Sequence, residues 1–233
     1  LRSLKKRNIR GLNVTVPYKE KVMSFLDSVS REARIIKAVN TICVEPSGLR
    51  GFNTDGAGFL RHLTKDLRFR PKGKNICVIG AGGASKAICT ALSQCRPKRL
   101  RVFDINRNKA RRLILGLQKS FPRLALESVD SAEGLEIEAC DLLVNATPIG
   151  MKKSDPLLVD PASLRQGQFV YDLIYNPPQT KLLKQAEKTG ARTSNGLGML
   201  LYQGALSFEY FTGRRAPIQV MRQALNKGVR SCG

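Results

Sequence analysis

The feature that most constrains the fold of this chain is a glycine-rich loop between an apolar strand and a helix. Residues 75–79 are apolar enough for a buried strand, the segment GAGGAS follows at 80–85, and the next predicted strand, 100–103, ends in Asp104. Such a loop lets the backbone approach a pyrophosphate, and the helix offers free N–H groups and its positive dipole end. An acid after the next strand typically bonds the adenosine ribose. The pattern therefore predicts a nucleotide site formed by Gly80, Ala81, Gly82, Gly83, Ala84 and Asp104.

Strands and helices alternate along most of the chain. Because such alternation produces parallel strands covered by helices on both faces, the sequence predicts an α/β fold with a Rossmann-type, doubly wound parallel sheet. Predicted strands lie at 9–16, 39–45, 75–79, 100–103, 141–145, 168–174 and 192–194. Predicted helices lie at 18–27, 30–38, from about 55, after the glycine loop to about 94, and at 108–119, 179–189, 198–211 and 217–226.

Composition excludes several kinds of chemistry. The chain has one histidine, His62, and six cysteines without a C-x-x-C pair, so we predict no metal site. A Ser-His-Asp or Cys-His catalytic site would depend on His62 alone. Several cysteines fall inside apolar stretches, which indicates reduced thiols in a cytoplasmic protein. No apolar run approaches the roughly 18 residues that a membrane-spanning helix requires.

The chain is strongly basic, with 40 Lys and Arg residues against 18 Asp and Glu residues and a formal charge of +22. A charge of this size is typical of nucleic-acid-binding proteins. Tryptophan is absent, however, aromatic residues make up only 6%, and the basic clusters carry no row of aromatic residues on which bases would stack. We therefore interpret the clusters as solvated surface rather than a nucleic-acid site. They lie at 5–7, 68–74, 96–101 and 107–112.

A series of segments resembles the shikimate dehydrogenase family, in the order and approximate spacing of that family. They are GLNVTVPYKE (11–20), AVNTI (38–42), GFNTDG (51–56), GAGGASKA (80–87), NATPIGM (145–151), VYDLIYNPPQT (170–180) and NGLGMLLYQ (195–203). The resemblance implies reversible, NAD(P)H-dependent reduction of 3-dehydroshikimate to shikimate, a step toward chorismate and aromatic amino acids. Two alternatives stay open: a quinate/shikimate dehydrogenase that uses NAD, and an inactive nucleotide- or nucleic-acid-binding fragment.

The resemblance also implies roles for individual residues. Lys19 is expected to relay a proton to or from the reacting oxygen, and Asp55 to hold Lys19 in place. Ketone reduction needs such a proton donor beside a hydride donor, and the scarcity of histidine leaves that role to Lys, Tyr, Asp or Glu. Thr147 and Met199 are expected to flank the nicotinamide or its ribose, and Gly196 to let the cofactor approach the backbone. The residues expected to bind the substrate are Thr15, Asn40, Asp55, Tyr175 and Gln203.

The choice between NAD and NADP depends on how the residues after the second strand of the nucleotide site are aligned. One alignment matches the Asn-Arg-Asn run around Arg107 to the family's phosphate-clamping motif, adds Arg111 as a second cation, and favours NADP. The other keeps the next helix in register at Lys109 and places Asp104 at the first position of the motif. It favours NAD, because a carboxylate repels the 2′-phosphate. Since the second alignment needs no gap, we favour NAD slightly and leave both cofactors open.

Members of the family carry a further N-terminal segment whose Ser-x-Ser motif binds the substrate carboxylate. This chain shows no match to it, so we expect a partial α/β substrate domain. Residues 1–55 are predicted to form this N-terminally incomplete domain, residues 56–195 the NAD(P)-binding domain, and residues 196–233 helices that return to the substrate domain. The predicted partner is a small-molecule substrate, and a homodimer is left open.

Overall fold

The computed structural model describes residues 8–15 and 17–231, which form two β-sheets and the helices around them. The strands of this part are β1 (Gly11–Asn13), β2 (Ser28–Val29), β3 (Thr41–Glu45), β4 (Gly48–Phe52), β5 (Asn75–Ile79), β6 (Arg99–Phe103), β7 (Leu126–Val129), β8 (Leu142–Asn145), β9 (Phe169–Asp172) and β10 (Arg192–Ser194). Its α-helices are α1 (Arg31–Ile36), α2 (Asp55–Arg61), α3 (Gly83–Gln94), α4 (Arg107–Ser120), α5 (Lys181–Lys188), α6 (Leu197–Thr212) and α7 (Ile218–Ser231).

The large sheet contains six parallel strands in the order β10-β9-β8-β5-β6-β7. Strand β5 lies inside it and is buried from Ile76 to Ile79, as its uninterrupted apolar run requires. The chain continues from β5 to β6 and β7 on one side, and then returns to β8, β9 and β10 on the other. The strand order thus reverses between β5 and β8, at the kind of point where such folds bind ligands. The predicted doubly wound parallel sheet is confirmed.

The small sheet has the order β1-β3-β4-β2 and is mostly antiparallel. A tight turn at Pro46 and Ser47 joins β3 to β4, whose end residues Glu45 and Gly48 are paired. Beneath the sheet lies a separate apolar core that includes the buried side chains of Val22, Ala33, Val39 and Ile42. Because this core is distinct from those of the large sheet, the two sheets form two packing units.

Helices α2 and α6 carry the chain from the small sheet to the large one and back. Helix α2 packs against both α3 and α6, and α6 also packs against β3 of the small sheet. At each of these two helix contacts, α2 presents a glycine. A Cβ added at Gly56 would lie 2.6 Å from the carbonyl oxygen of Ala87, and one at Gly58 would lie 2.6 Å from the backbone nitrogen of Gln203. The helix backbones can approach this closely only because these side chains are absent.

The structure differs from the sequence-based expectations in three elements. The predicted helix 18–27 is wrong, because residues 21–25 form a short 3₁₀ helix instead. The side chain of Asp27 accepts a hydrogen bond from the Leu49 backbone N–H at 2.6 Å. That contact pulls the following residues into an extended strand, β2, which the sequence did not predict. Strand β7 was also missed, since its only buried residue is Leu126 at one edge of the large sheet.

Some predictions fall outside the described residues, namely the basic cluster at 5–7 and Val16 at the end of the predicted first strand. In the described part of the first strand, β1 spans Gly11–Asn13. Among the helices of residues 8–15 and 17–231, none is long and apolar enough to cross a membrane.

Replacing Gly58 by Ala tests the close packing of α2 on α6. We expect Gly58→Ala to lower the free energy of unfolding by about 1–3 kcal/mol, because the added methyl group overpacks the contact. Gly116 is the matched control: it lies within α4, and nothing lies within 4 Å of a Cβ added there. Gly116→Ala should raise stability by up to about 1 kcal/mol through helix propensity. Urea unfolding measures both effects, and a Gly58→Ala variant as stable as the original chain would contradict the packing argument.

Candidate active site

The carboxylate of Asp55 is the centre of a polar cluster between the two sheets. The Lys19 ammonium nitrogen lies 2.7 Å from its Oδ2, and the Asn40 side-chain amide donates to its Oδ1 at 2.9 Å. The side chains of Lys19 and Asp55 are 17% and 7% exposed, so the ion pair is largely removed from water. Asp55 is also the first residue of α2, where the helix dipole favours a negative charge. Its own N–H is capped by the side-chain oxygen of Asn53 at 3.0 Å.

Asn40 fixes the segment that carries Asp55. Besides the bond to Asp55, its amide group donates to the hydroxyl of Thr54 at 2.9 Å, and its carbonyl oxygen accepts the Thr54 backbone N–H at 2.9 Å. Both amide protons are therefore used within the cluster. The structure thus assigns Asn40 a positioning contact that the sequence analysis, which expected substrate binding, did not identify.

The cluster continues into residues that the sequence analysis missed. The hydroxyls of Thr41 and Ser207 lie 2.8 Å apart, and the Asn13 side chain donates to Ser207 at 2.9 Å. These contacts connect β1 and β3 to α6 through hydrogen bonds between polar side chains. Thr41 and Ser207 are both buried. The only sequence signal for them was a polar residue at a position of a strand or helix that faces the core.

A cavity of about 420 Å³ opens beside this cluster. It brings together residues that follow β1 and β9 with residues on α2 and α6, so both sheets contribute to its wall. From the glycine loop and the start of α6 it is lined by Ala84, Gly196 and Met199. All the residues expected to act on or bind the substrate also line it: Thr15, Lys19, Asn40, Asp55, Tyr175 and Gln203.

The glycine loop lies at the carboxyl end of β5. Gly80 has a φ of +104°, a left-handed conformation that favours glycine. A Cβ added at Gly82 or Gly83 would have no neighbour within 4 Å, so the space above the loop is open. Helix α3 begins here with Gly82 as its N-cap and no side-chain cap. Its first N–H groups are therefore available to an anion, and these residues fit the pyrophosphate of a dinucleotide.

The carboxylate of Asp104 lies at the end of β6 and braces the glycine loop. Its Oδ2 accepts the Ala81 backbone N–H at 2.7 Å, and its Oδ1 accepts the Asn106 backbone N–H at 2.8 Å. Of the cations considered for a 2′-phosphate, Arg107 is exposed at the start of α4. Arg111 instead contacts both oxygens of Asp130 at 3.1 Å. Sequence reasoning predicted Asp104 but not its contact with the loop.

A buried carboxylate, Asp172, connects two loops at the same edge of the large sheet. It accepts hydrogen bonds from the side chain of Asn145 at 3.0 Å and from the hydroxyl of Thr180 at 2.7 Å. The Asn145 carbonyl in turn accepts the Thr147 hydroxyl at 2.7 Å. These hydrogen bonds hold the loop that carries Thr147 against the loop that carries Tyr175. Thr147 was predicted to lie near the nicotinamide. Burial raises the pKa of Asp172, because desolvation of the charged carboxylate outweighs the opposing effect of its neutral hydrogen-bond donors.

The described residues contain no group of three or more His, Cys, Asp and Glu side chains that could hold a metal ion. The site instead combines an open glycine loop with a cavity that holds a buried lysine and carboxylate. The cavity borders the glycine loop at Ala84 and the start of α6 at Gly196 and Met199, so a dinucleotide whose pyrophosphate is bound at the loop would have its reactive end near the cavity. The fold and the site therefore define a dinucleotide-dependent oxidoreductase.

Comparison with known proteins identifies the family. Residues 1–42 match the shikimate dehydrogenase substrate binding domain, and residues 196–225 match the shikimate 5′-dehydrogenase C-terminal domain. A relative from Methanopyrus kandleri, named shikimate dehydrogenase (NADP(+)), is 42% identical over 226 residues, which are 95% of this chain and 78% of the relative. The chain belongs to the shikimate dehydrogenase family, as its motifs predicted.

Solved structures agree with this assignment. A quinate dehydrogenase from Corynebacterium glutamicum, in complex with NAD, superposes with a TM-score of 0.90 at 34% identity and covers 97% of this chain and 80% of its own. A shikimate 5-dehydrogenase from Listeria monocytogenes, in complex with shikimate and NAD, has a TM-score of 0.88 at 33% identity, with 96% and 80% coverage. The match extends over both sheets of this chain.

The raised pKa of Asp172 predicts a specific pH dependence of stability. Because the folded-state pKa is raised, the contribution of this group is fully present below its unfolded-state pKa of about 3.9 and is lost as the pH rises through the folded-state value. Asp172→Asn has no proton to lose. The free energy of unfolding of this variant, minus that of the original chain, should therefore increase as the pH rises from about 4 into the neutral range. Urea unfolding across that range measures the difference, and a difference independent of pH would contradict the raised pKa.

Proposed function

We propose that this chain catalyses reversible hydride transfer between a nicotinamide dinucleotide and a hydroxylated ring acid, interconverting shikimate and 3-dehydroshikimate. The observation that carries the proposal is the 2.7 Å pair of Lys19 and Asp55 in a cavity bordered by the glycine loop. The names of the M. kandleri relative and of the L. monocytogenes structure support the choice of substrate. A cavity of about 420 Å³ also suits a small ligand.

The two reacting groups have separate sources. When bound, the nicotinamide supplies or accepts the hydride. The ammonium of Lys19 donates a proton to the carbonyl oxygen during reduction, and the lysine takes that proton back from the hydroxyl during oxidation. Asp55 holds the Lys19 nitrogen at 2.7 Å, while Asn40 and the α2 N-terminus hold the carboxylate. The proton donor is therefore fixed before substrate arrives, which reduces the entropy lost on reaching the reacting geometry.

The rest of the cavity supplies groups suited to a polyol acid. Thr15, Tyr175 and Gln203 line the same cavity as Asp55, and they carry two hydroxyls and one amide. Each can donate and accept hydrogen bonds, so together they can hold several substrate hydroxyls and fix which face of the ring meets the cofactor. Gly196 lines the cavity at the start of α6, on the side where the nicotinamide is proposed to lie.

The proposal also includes the predicted division into domains and a cytoplasmic location of the protein. All strands of the small sheet lie between residues 11 and 52, and all those of the large sheet between 75 and 194, which supports boundaries near 55 and 195. The packing of α6 on β3 supports the return of the C-terminal helices to the substrate domain. The cysteines of the described part are free thiols, and burial raises the pKa of Cys89 to about 12. Inert, reduced thiols support a cytoplasmic location, and a homodimer stays a prediction.

Replacing Lys19 tests the catalytic assignment. We expect Lys19→Ala to lower kcat for shikimate oxidation by about 10²–10⁴-fold, because the proton acceptor is lost. The affinity for the reduced cofactor should stay unchanged. Lys21, an exposed lysine on the following 3₁₀ helix, is the matched control, and Lys21→Ala should keep full activity. Absorbance of the reduced nicotinamide measures the rates, with quinate as a second substrate. A Lys19→Ala variant with full activity would contradict the assignment of Lys19 as the proton donor and acceptor.

We further propose that NAD is the preferred cofactor. Asp104 lies at the end of β6, where the adenosine ribose is bound in folds of this kind, and its carboxylate is fixed there by the Ala81 and Asn106 backbone N–H groups. It cannot turn away from a 2′-phosphate without losing those bonds. Arg111, the second cation required by the alternative alignment, is already paired with Asp130. Because the name of the M. kandleri relative includes NADP(+), the two cofactors have to be compared directly.

Asp104→Asn tests this preference. The substitution removes the negative charge and keeps one side-chain oxygen, which can accept from one of the two backbone N–H groups. We expect the ratio of kcat/KM with NADP to kcat/KM with NAD to rise about five-fold or more, because one like-charge contact at about 4 Å costs about 1 kcal/mol even in bulk water. Asp160→Asn, at an exposed N-cap remote in sequence, is the control and should leave the ratio unchanged. If the original chain has the higher kcat/KM with NADP, the NAD assignment is wrong.

A further inference from the structure

The single histidine of the chain, His62, lies outside the cavity but contacts the helix that lines it. It is 7% exposed and directly follows α2, where the helix continues as one π-helical turn from His62 to Asp66. Such turns are rare and occur often at functional sites. The His62 ring lies against Gly198 in the first turn of α6, so closely that a Cβ at position 198 would overlap it.

His62 also contacts Tyr171, which lies beside the start of α6. The His62 Nδ1 lies 2.7 Å from the hydroxyl oxygen of Tyr171, a fully buried residue of β9. Burial raises the pKa of Tyr171, and the nearby backbone of Met199 opposes that shift. The Tyr171 hydroxyl therefore lies beside the first turn of α6, the same turn whose Gly198 the His62 ring contacts.

The tautomer of His62 sets the direction of its hydrogen bond to Tyr171. When the imidazole is neutral and carries its proton on Nε2, Nδ1 accepts the proton of the Tyr171 hydroxyl. Burial lowers the pKa of His62 and so favours the neutral form.

The π-helical turn is itself held in place. Asp66, at its end, accepts a hydrogen bond from the Tyr202 hydroxyl at 2.7 Å and pairs with Arg222 at 2.7 Å. Tyr202 belongs to α6 and Arg222 to α7. The turn that carries His62 is therefore anchored to the same helix whose first turn His62 contacts, so its position relative to Met199 is set at two points.

We propose that His62 and Tyr171 are positioning residues that hold the first turn of α6, and with it Met199 and Gly196, at the nicotinamide side of the cavity. This inference concerns the cofactor side of the same site and rests on the proposed function. Neither residue lines the cavity described around Lys19 and Asp55, so both act through α6. A shift of this turn would change the wall against which the nicotinamide lies, and small errors of position in such a site reduce rates strongly.

A double-mutant cycle tests the inference. We expect Tyr171→Phe and His62→Leu each to lower kcat roughly ten-fold and to weaken NADH binding several-fold, with little change in KM for shikimate. The double variant should be no worse than either single variant, because all three lose the same hydrogen bond. His62→Asn places an amide oxygen near the position of Nδ1 and should recover part of kcat. NADH fluorescence measures binding, and initial rates measure kcat and KM.

Phe69→Leu is the matched control for a purely structural effect. Phe69 packs edge-to-face on Phe169 at the start of β9, with 5.7 Å between ring centroids. This variant should lower the melting temperature but leave kcat and NADH binding unchanged. If the Tyr171 and His62 variants behave in the same way, or if their effects simply add, the positioning role is wrong. Failure of the original chain to oxidise shikimate would instead refute the proposed function, and NADH binding would still test the positioning role.

Discussion

Helix α2 packs against α3 and α6 at two glycines, Gly56 and Gly58, and the arrangement of the site depends on this contact. Each of the three helices begins at the site: α2 with Asp55, α3 with the glycine loop, and α6 beside Gly196. Because protein interiors are close-packed, bringing the helices together at their backbones fixes the distances between their first turns. The packing of the helices thereby sets the positions of the Asp55 carboxylate, the glycine loop and Gly196 relative to one another.

The buried charge of Asp55 imposes a second constraint. A carboxylate that is 7% exposed needs a cation and hydrogen-bond donors, since an uncompensated buried charge is strongly destabilising. Lys19 provides the cation from the segment after β1, and Asn40 provides a donor from the residue before β3. The pair that is suited to proton transfer therefore also holds the small sheet to α2. In the proposed mechanism, stability and catalysis therefore depend on the same three side chains.

Local spacing was enough to predict the strand, glycine loop, helix and Asp104 of the nucleotide site, because these features are adjacent in sequence. The resemblance to the family supplied Lys19 and Asp55, which are separated by 36 residues and which no spacing rule connects. Long-range contacts explain what was missed. The Asp27 contact with Leu49 overrode the helical pattern of 18–27. The contact of Tyr171 with His62 joins residues 109 apart, and composition identified His62 only as a lone histidine.

The two crossings of the chain between the sheets have a mechanical consequence. The chain leaves the small sheet through α2 and returns to it through α6, and these two helices pack against each other. Besides these two helices, α1 packs on α3 and α4, and Ile36 and Ala38 share a buried apolar cluster with Ala87. The two sheets are therefore joined both by two covalent connections and by a packed apolar contact. Since residues from both sides line the cavity, any relative movement of the sheets would change the distance between Lys19 and the glycine loop.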